Sequence, residues 1–278
     1  MKQSINHQLT VIYYYVDNFL KQHPSLAQWR QSNHRTPRFT DAEVITIALM
    51  QGYFGCATLK QTYLLLAANA RAAFPHLPSY PQWLARLHAV SDLTGHLVLT
   101  GAGERAAWTR FYLTDSKPIP LCHPVRHGRV RLLREEGAYF GKTKKGWFFG
   151  FKLHAVADDQ GRLVGAILTP GNVDDRAPTP ALALGLDGGV CLGDLGYRSQ
   201  ALQDELLEET DLLLLTPASA TTQRALLSSL RERVETTFSQ LWARFVDRVY
   251  SRSWHGLWST IKLKLLHLNL CLNGVIEA

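Results

Sequence analysis

Apolar residues recur along this chain in two different rhythms, and the change falls a little before its midpoint. From Met1 to about residue 105 they return every three or four positions, the spacing that lays a stripe down one side of a helix. Thr40-Asp41-Ala42-Glu43 opens one such helix, because a hydroxyl followed three residues on by a glutamate can satisfy the free amides of a helix start. Val44, Ile45, Ala48 and Leu49 continue it, and Gly52 and Gly55 bracket its end. Leu59 to Ala70 reads as the next helix, and a third lies around Gln82 to Val90, after Pro75, Pro78 and Pro81. Short helices with turns between them suit either a helix-turn-helix docked on DNA or a helical cap on a catalytic domain.

Beyond Gly101-Ala102-Gly103 the apolar residues gather into short runs separated by turns: Phe111 to Leu113, Trp147 to Ala157, Leu163 to Leu168, Val190 to Leu192 and Leu212 to Leu215. These predict five strands. Asp158-Asp159-Gln160-Gly161 predicts a hairpin between the second and third. Helical stretches follow at Thr179 to Leu184, Ser199 to Glu209, Leu226 to Phe245 and Gly256 to Leu272. Three strands in meander order giving way to strand-helix alternation predict an α/β domain: a mixed five-stranded sheet covered by helices, over residues 106–278, preceded by a helical domain over residues 1–105.

Composition narrows the class of protein. The 278 residues, 46% hydrophobic and 10% aromatic, can fill a globular core, and a formal charge of +7 favours polyanionic partners. Cys56, Cys122, Cys191 and Cys271 are scattered without a C-x-x-C pair, which speaks against a zinc site or a disulfide framework and for a reducing cytoplasm. Polar residues interrupt the N-terminal apolar stretch and no run reaches membrane-spanning length, so neither export nor a membrane partner is expected.

Two aspartates stand where α/β folds place their chemistry, at the ends of apolar strands. Asp194 sits in Leu192 to Tyr197, read LGDLGY, after Val190 and Cys191. Asp115 ends the first strand in FYLTDSKPIP, where Pro118 and Pro120 should stop the pairing soon after. If the first strand is central and the fourth lies beside it, the two carboxylates meet. Uncompensated, such a pair raises one pKa, whereas a divalent cation lets both stay ionised, and oxygen-only ligation selects Mg²⁺ or Mn²⁺. Glu235 lies at the margin of a helical stripe of Leu227, Leu230, Val234, Phe238, Leu241 and Phe245. It is either a third carboxylate or half of an i, i+4 ion pair with Arg231.

Positive charge concentrates between the first two strands. Arg126, Arg129, Arg131, Arg134, Lys142, Lys144 and Lys145 stand against Glu135 and Glu136, a net +5 (7 − 2) in one segment. Charge so concentrated suits phosphate contacts, the alternative being a solvated loop. Asn172, Asp174 and Asp175 follow the third strand at the same expected edge, as ordinary turn residues or as support for the site. His154, alternating with Lys152, reads as structural; Trp254, His255 and Trp258 suit either packing or stacking on an unpaired base.

Together these blocks resemble bacterial insertion-sequence transposases of the DDE class, most nearly the insertion sequence 982 family. The matching stretches are TDSKPIPLCH (Thr114 to His123), GKTKKGWFFGFKLHAV (Gly141 to Val156), LTPGNVDDR (Leu168 to Arg176), LGDLGY and RERVE (Arg231 to Glu235), in the family's order. The resemblance implies a ribonuclease-H-like core in which Asp115, Asp194 and Glu235 hold two Mg²⁺ or Mn²⁺ ions. It also implies cleavage and joining of double-stranded DNA, the transposon ends and the target, by an enzyme dimeric when active. A nuclease that cuts without joining, or a DNA-binding descendant without catalysis, are the alternatives. Where related transposases carry a tyrosine and a lysine around the glutamate, this chain has Ser228 and Trp242, which leaves phosphate contact there to Arg231, Arg244 or Lys262.

Overall fold

A computed structural model describes residues 4–29, 37–144, 146–216 and 251–276, with residues 232, 236 and 239. The chain divides into two compact units, Met1–Val98 with His255–Ala278, and Leu99–Trp254. The sequence places the last helix with the catalytic half; the structure groups nearly all of it with the N-terminal helices.

In the first unit, α1 (Ile5–Gln22), α2 (Asp41–Phe54), α3 (Leu59–Asn69) and α4 (Tyr80–Ala89) precede α5 (Ser91–Thr109), which runs on into the second unit. The start of α2 is the capping box expected: Thr40 Oγ1 accepts from the Glu43 amide at 3.2 Å, and the Glu43 carboxylate accepts from the Thr40 amide at 2.6 Å. Gly55 ends α2 in the left-handed region, and the chain bends by 100° into α3. That angle and short turn fit a helix-turn-helix, but the outward face of α3 carries Leu64 and Leu65 and the single cation Lys60. Arg86 on α4 pairs with Asp41 at 2.7 Å and ties α4 to the start of α2. The final helix, α8 (Trp254–Leu272), buries Leu257, Ile261, Leu265 and Leu268. His267 of α8 fills the space above Gly52, where an added Cβ would lie 2.0 Å from the ring. No single helix among the described residues is long and apolar enough to cross a membrane.

The second unit is built on a six-stranded mixed sheet. Its strands are β1 (Phe111–Cys122), β2 (Tyr139–Thr143), β3 (Gly146–Asp158), β4 (Leu163–Pro170), β5 (Gly189–Leu192) and β6 (Leu212–Leu215). β1 is central, antiparallel to β3 on one side and parallel to β5 on the other, with β6 outside β5. β2 and β4 lie end to end along the far edge of β3, pairing with Gly146–Gly150 and Phe151–Ala157. Set aside β2, and the order β4-β3-β1-β5-β6 is the ribonuclease-H-like arrangement of a meander joined to two parallel strands. β2 is the strand the sequence does not announce, because Tyr139-Phe140-Gly141-Lys142-Thr143 mixes glycine and charge with its apolar residues.

β1 corrects a second expectation. It does not end at Asp115 but continues through both prolines to Cys122, in register with β3 at Pro118↔Lys152 and Pro120↔Gly150. The two prolines are two residues apart, so their missing N–H groups point the same way, toward the side from which β5 has withdrawn after Leu113. No ladder bond is lost there, which is why the strand tolerates them.

One face of the sheet carries Tyr112 and Val156 and is covered by α6 (Thr179–Ala183) and α7 (Gln200–Thr210) through Leu182, Ala183, Leu202 and Leu206. On the other face Trp254 packs against Phe151, ring centroids 5.1 Å apart. The predicted helix from Leu226 to Phe245 lies almost wholly outside the described residues.

Candidate active site

Leu113 of β1 pairs with Leu192 of β5 in parallel register. Asp115 stands two residues further along β1 and Asp194 two residues past the end of β5, and the two are near enough for the charge of Asp194 to act on Asp115. Their local settings differ. Asp115 remains in β1, 23% exposed; its Oδ1 accepts from the Ser116 amide at 2.8 Å and its Oδ2 holds the Lys117 Nζ at 2.9 Å. Burial is the main influence on Asp115 and raises its pKa above the usual carboxylate value; Lys117 and the Ser116 amide oppose the rise, and the negative charge of Asp194 adds to it.

Asp194 is exposed and leaves the sheet. It caps the single 3-10 turn Leu195–Tyr197, its Oδ1 accepting from the Gly196 amide at 2.8 Å. Leu192 closes β5 in the core. Gly193 has no side chain because the Tyr197 ring lies 2.9 Å from where its Cβ would be. Tyr197 is 1% exposed and locks the turn against the sheet. Its hydroxyl lies beside Thr114 without the alignment of a full hydrogen bond; burial, with the charges of Asp175, Asp115 and Asp194 nearby, drives its pKa far above the ordinary value.

Lys117 is a residue the sequence reading passes over. On an extended strand it shares a face with Asp115 two positions earlier, a relation hidden once the strand is taken to stop there. Its ammonium already occupies a cation position on the carboxylate. Oxygen-only donors, one of them beside a cation, are what a hard divalent ion takes up, and the pair fits such an ion. Among the described residues no three His, Cys, Asp or Glu side chains converge into a complete metal site. Glu235 and Arg231 lie outside the described residues, as do Ser228, Trp242, Arg244 and Lys145.

The other face holds a second polar group of residues. Lys152 Nζ meets Asp175 Oδ1 at 2.6 Å. His154, wholly buried, sets its Nε2 2.8 Å from Thr169 Oγ1 and its Nδ1 3.7 Å from Asp175 Oδ1. Burial lowers the His154 pKa to about 4, against the pull of Asp175. Asp175 thus fastens the turn after β4 to the sheet. Asp174 is taken by Arg176 at 2.8 Å, and that hydrogen bond holds its carboxyl well below the usual range. Asn172 is exposed on the same turn.

In the β1–β2 connection Arg126, Arg129, Arg131 and Arg134 are all exposed, and so are Lys142 and Lys144 on the hairpin that follows. The connection is seated on aromatic residues: His127 packs on Phe140 at 4.5 Å and the Arg134 guanidinium lies 5.6 Å from the Phe149 ring centroid. Lys262 of α8 pairs with Asp92 at 2.9 Å and lies over Trp258.

The sheet is ribonuclease-H-like in strand order, with Asp115 in central β1 and Asp194 just past the end of the parallel neighbour β5. Residues 105–242 match the family model described as a transposase DDE domain, and this segment is a DDE transposase domain. No curated protein matches the chain. Among solved structures, a Mos1 transposase paired-end complex with the left transposon end is 14% identical over 89% of this chain and 82% of that one, at a TM-score of 0.25. A Mos1 mariner paired end complex with Mn is 13% identical over 100% and 99%, at 0.26.

Proposed function

We propose that this protein is an insertion-sequence transposase, of the insertion sequence 982 kind, that cuts the ends of its element and joins them to target DNA in the bacterial cytoplasm. The observation that supports this reading most is the nearness of Asp115 and Asp194, at the ends of the paired β1 and β5 stretches, within a segment that matches a DDE domain. Asp115 and Asp194 would hold Mg²⁺ or Mn²⁺, with Glu235 completing a set for two ions. Metal bound there would supply an activated water or 3′ hydroxyl and neutralise charge on the leaving oxygen. The chain's own part is to fix the carboxylates. Ser116 and Gly196 amides each hold one oxygen of an aspartate and leave the other to face a cation. Lys117 pairs with Asp115 and opposes the rise in pKa that burial gives it. The exposed cations from Arg126 to Lys144 take phosphates of the duplex, and two copies of the chain hold the two ends.

The test is a joining assay with a supercoiled target, the element's own ends and Mg²⁺ or Mn²⁺. Joined products are expected from the natural protein, and Asp115→Asn or Asp194→Asn should drop cleavage to background while retaining binding to the ends. Full cleavage by either variant refutes the assignment, and nicks without joined products reduce the protein to a nuclease.

A further inference from the structure

Trp147 is 61% exposed at the start of β3, a strand whose following residues, Phe148 to Phe151, are buried. Two side chains flank it. Lys142 pairs with it across the β2–β3 hairpin and sets its Nζ 5.6 Å from the indole centroid, and Phe140 meets the ring edge-on at 6.5 Å. Gly146, at φ +120°, lets the hairpin close beside it, a conformation that a side chain would oppose.

The indole also faces the side that matters. Alternate residues of β3 share a face, so Trp147 stands with Ala155, the partner of Asp115 in β1. Eight residues separate Trp147 from Ala155 (155 − 147), about 26 Å along the strand. Lys142 and Lys144 are exposed on the hairpin, and Arg129 and Arg131 are exposed on the connection leading to it.

A solvent-facing aromatic ring beside an ammonium group meets the two needs of a nucleotide at once: the π face takes a base and the cation takes the adjoining phosphate. We propose that Trp147 stacks on an unpaired nucleobase of bound DNA, with Lys142 holding the neighbouring phosphate. This rests on the proposed reading of the domain as DNA-binding. It goes beyond charge attraction, because stacking requires a base out of its pair, as at a frayed or distorted transposon end.

The full chain is titrated, at fixed salt, against a fluorescein-labelled dT oligomer and a mixed-sequence duplex, each of about 20 nucleotides per strand, with anisotropy as readout. Trp147→Ala should weaken dT binding about tenfold, Trp147→Phe by less than about threefold, and both should leave duplex binding within about twofold. Trp147 is exposed, so unchanged thermal melting of both variants is expected and confirms that binding alone is read. Wild-type affinity of Trp147→Ala for the dT oligomer overturns the proposal, as does an equal loss on both probes that Phe fails to restore. A natural protein that binds neither probe removes the DNA-binding reading beneath it; one that binds both, with a silent Trp147→Ala, removes only the stacking.

Discussion

Two aspartates with similar sequence surroundings end in opposite environments, and the difference is a matter of single hydrogen bonds. Asp115 stays in the sheet, partly buried beside Lys117, whereas Asp194 turns outward to cap a turn. A third acid, Asp175, lies on the other face and serves the fold, gripping Lys152 and facing His154. His154 makes that role measurable. Burial keeps it neutral, its pKa falling from 6.5 to about 4, so the unfolded chain binds the proton first as the pH drops through that window. Its neutral form therefore supports the fold fully above pH 6.5, and the support is lost between 6.5 and about 4, at most about 3 kcal/mol. His154→Gln, which can keep a bond to Thr169, should flatten the fall of the urea midpoint between those pH values; an unchanged slope would show that His154 is not the group that titrates.

At the scale of the element, the turns decide. The β3–β4 hairpin is closed by Asp158, which accepts from the amides of Gln160 and Arg162 at 2.9 Å each and from Arg162 Nε at 2.7 Å. Both side chains are almost wholly buried. Asp158→Ala strands the Arg162 charge and opens the turn, and should cost about 3–5 kcal/mol, read as a fall in denaturant midpoint. The turn after β5 works through shape. Gly193→Ala forces its new Cβ against the Tyr197 ring, with an expected loss of about 1–3 kcal/mol. Because Asp194 begins that turn, DNA cleavage should fall further than the loss of folded protein accounts for, which activity per folded molecule would measure.

At the scale of the molecule, charge and division into units matter most. The exposed cations of the β1–β2 connection and its hairpin make duplex affinity steeply salt-dependent. Replacing Arg129 and Arg131 with serine should lower the slope of log K against log salt by about 2, with affinity falling alike on unrelated sequences. A slope that does not move would place the duplex elsewhere. The α3 face, with Lys60 as its one cation, offers far less to a phosphate backbone.

Much of this was legible in the chain. The capping box at Thr40, the turn at Asp158 to Gly161, the apolar runs of β3 to β6 and the strand-end place of Asp194 all follow from chemistry acting over a few residues, and such chemistry leaves its mark in a few letters. Other features depend on neighbours distant in sequence. That Pro118 and Pro120 can stay in β1 is settled by where β5 stops; that Lys117 faces Asp115 follows from the strand continuing. That Asp115 and Asp194 come near each other depends on the parallel register of Leu113 with Leu192, and that the last helix joins the first unit depends on surfaces far apart in the chain. The sequence by itself determined which residues can carry the chemistry, since residue type and local period are written in it. Only the tertiary structure decided which of them meet, because register and facing are set by long-range packing.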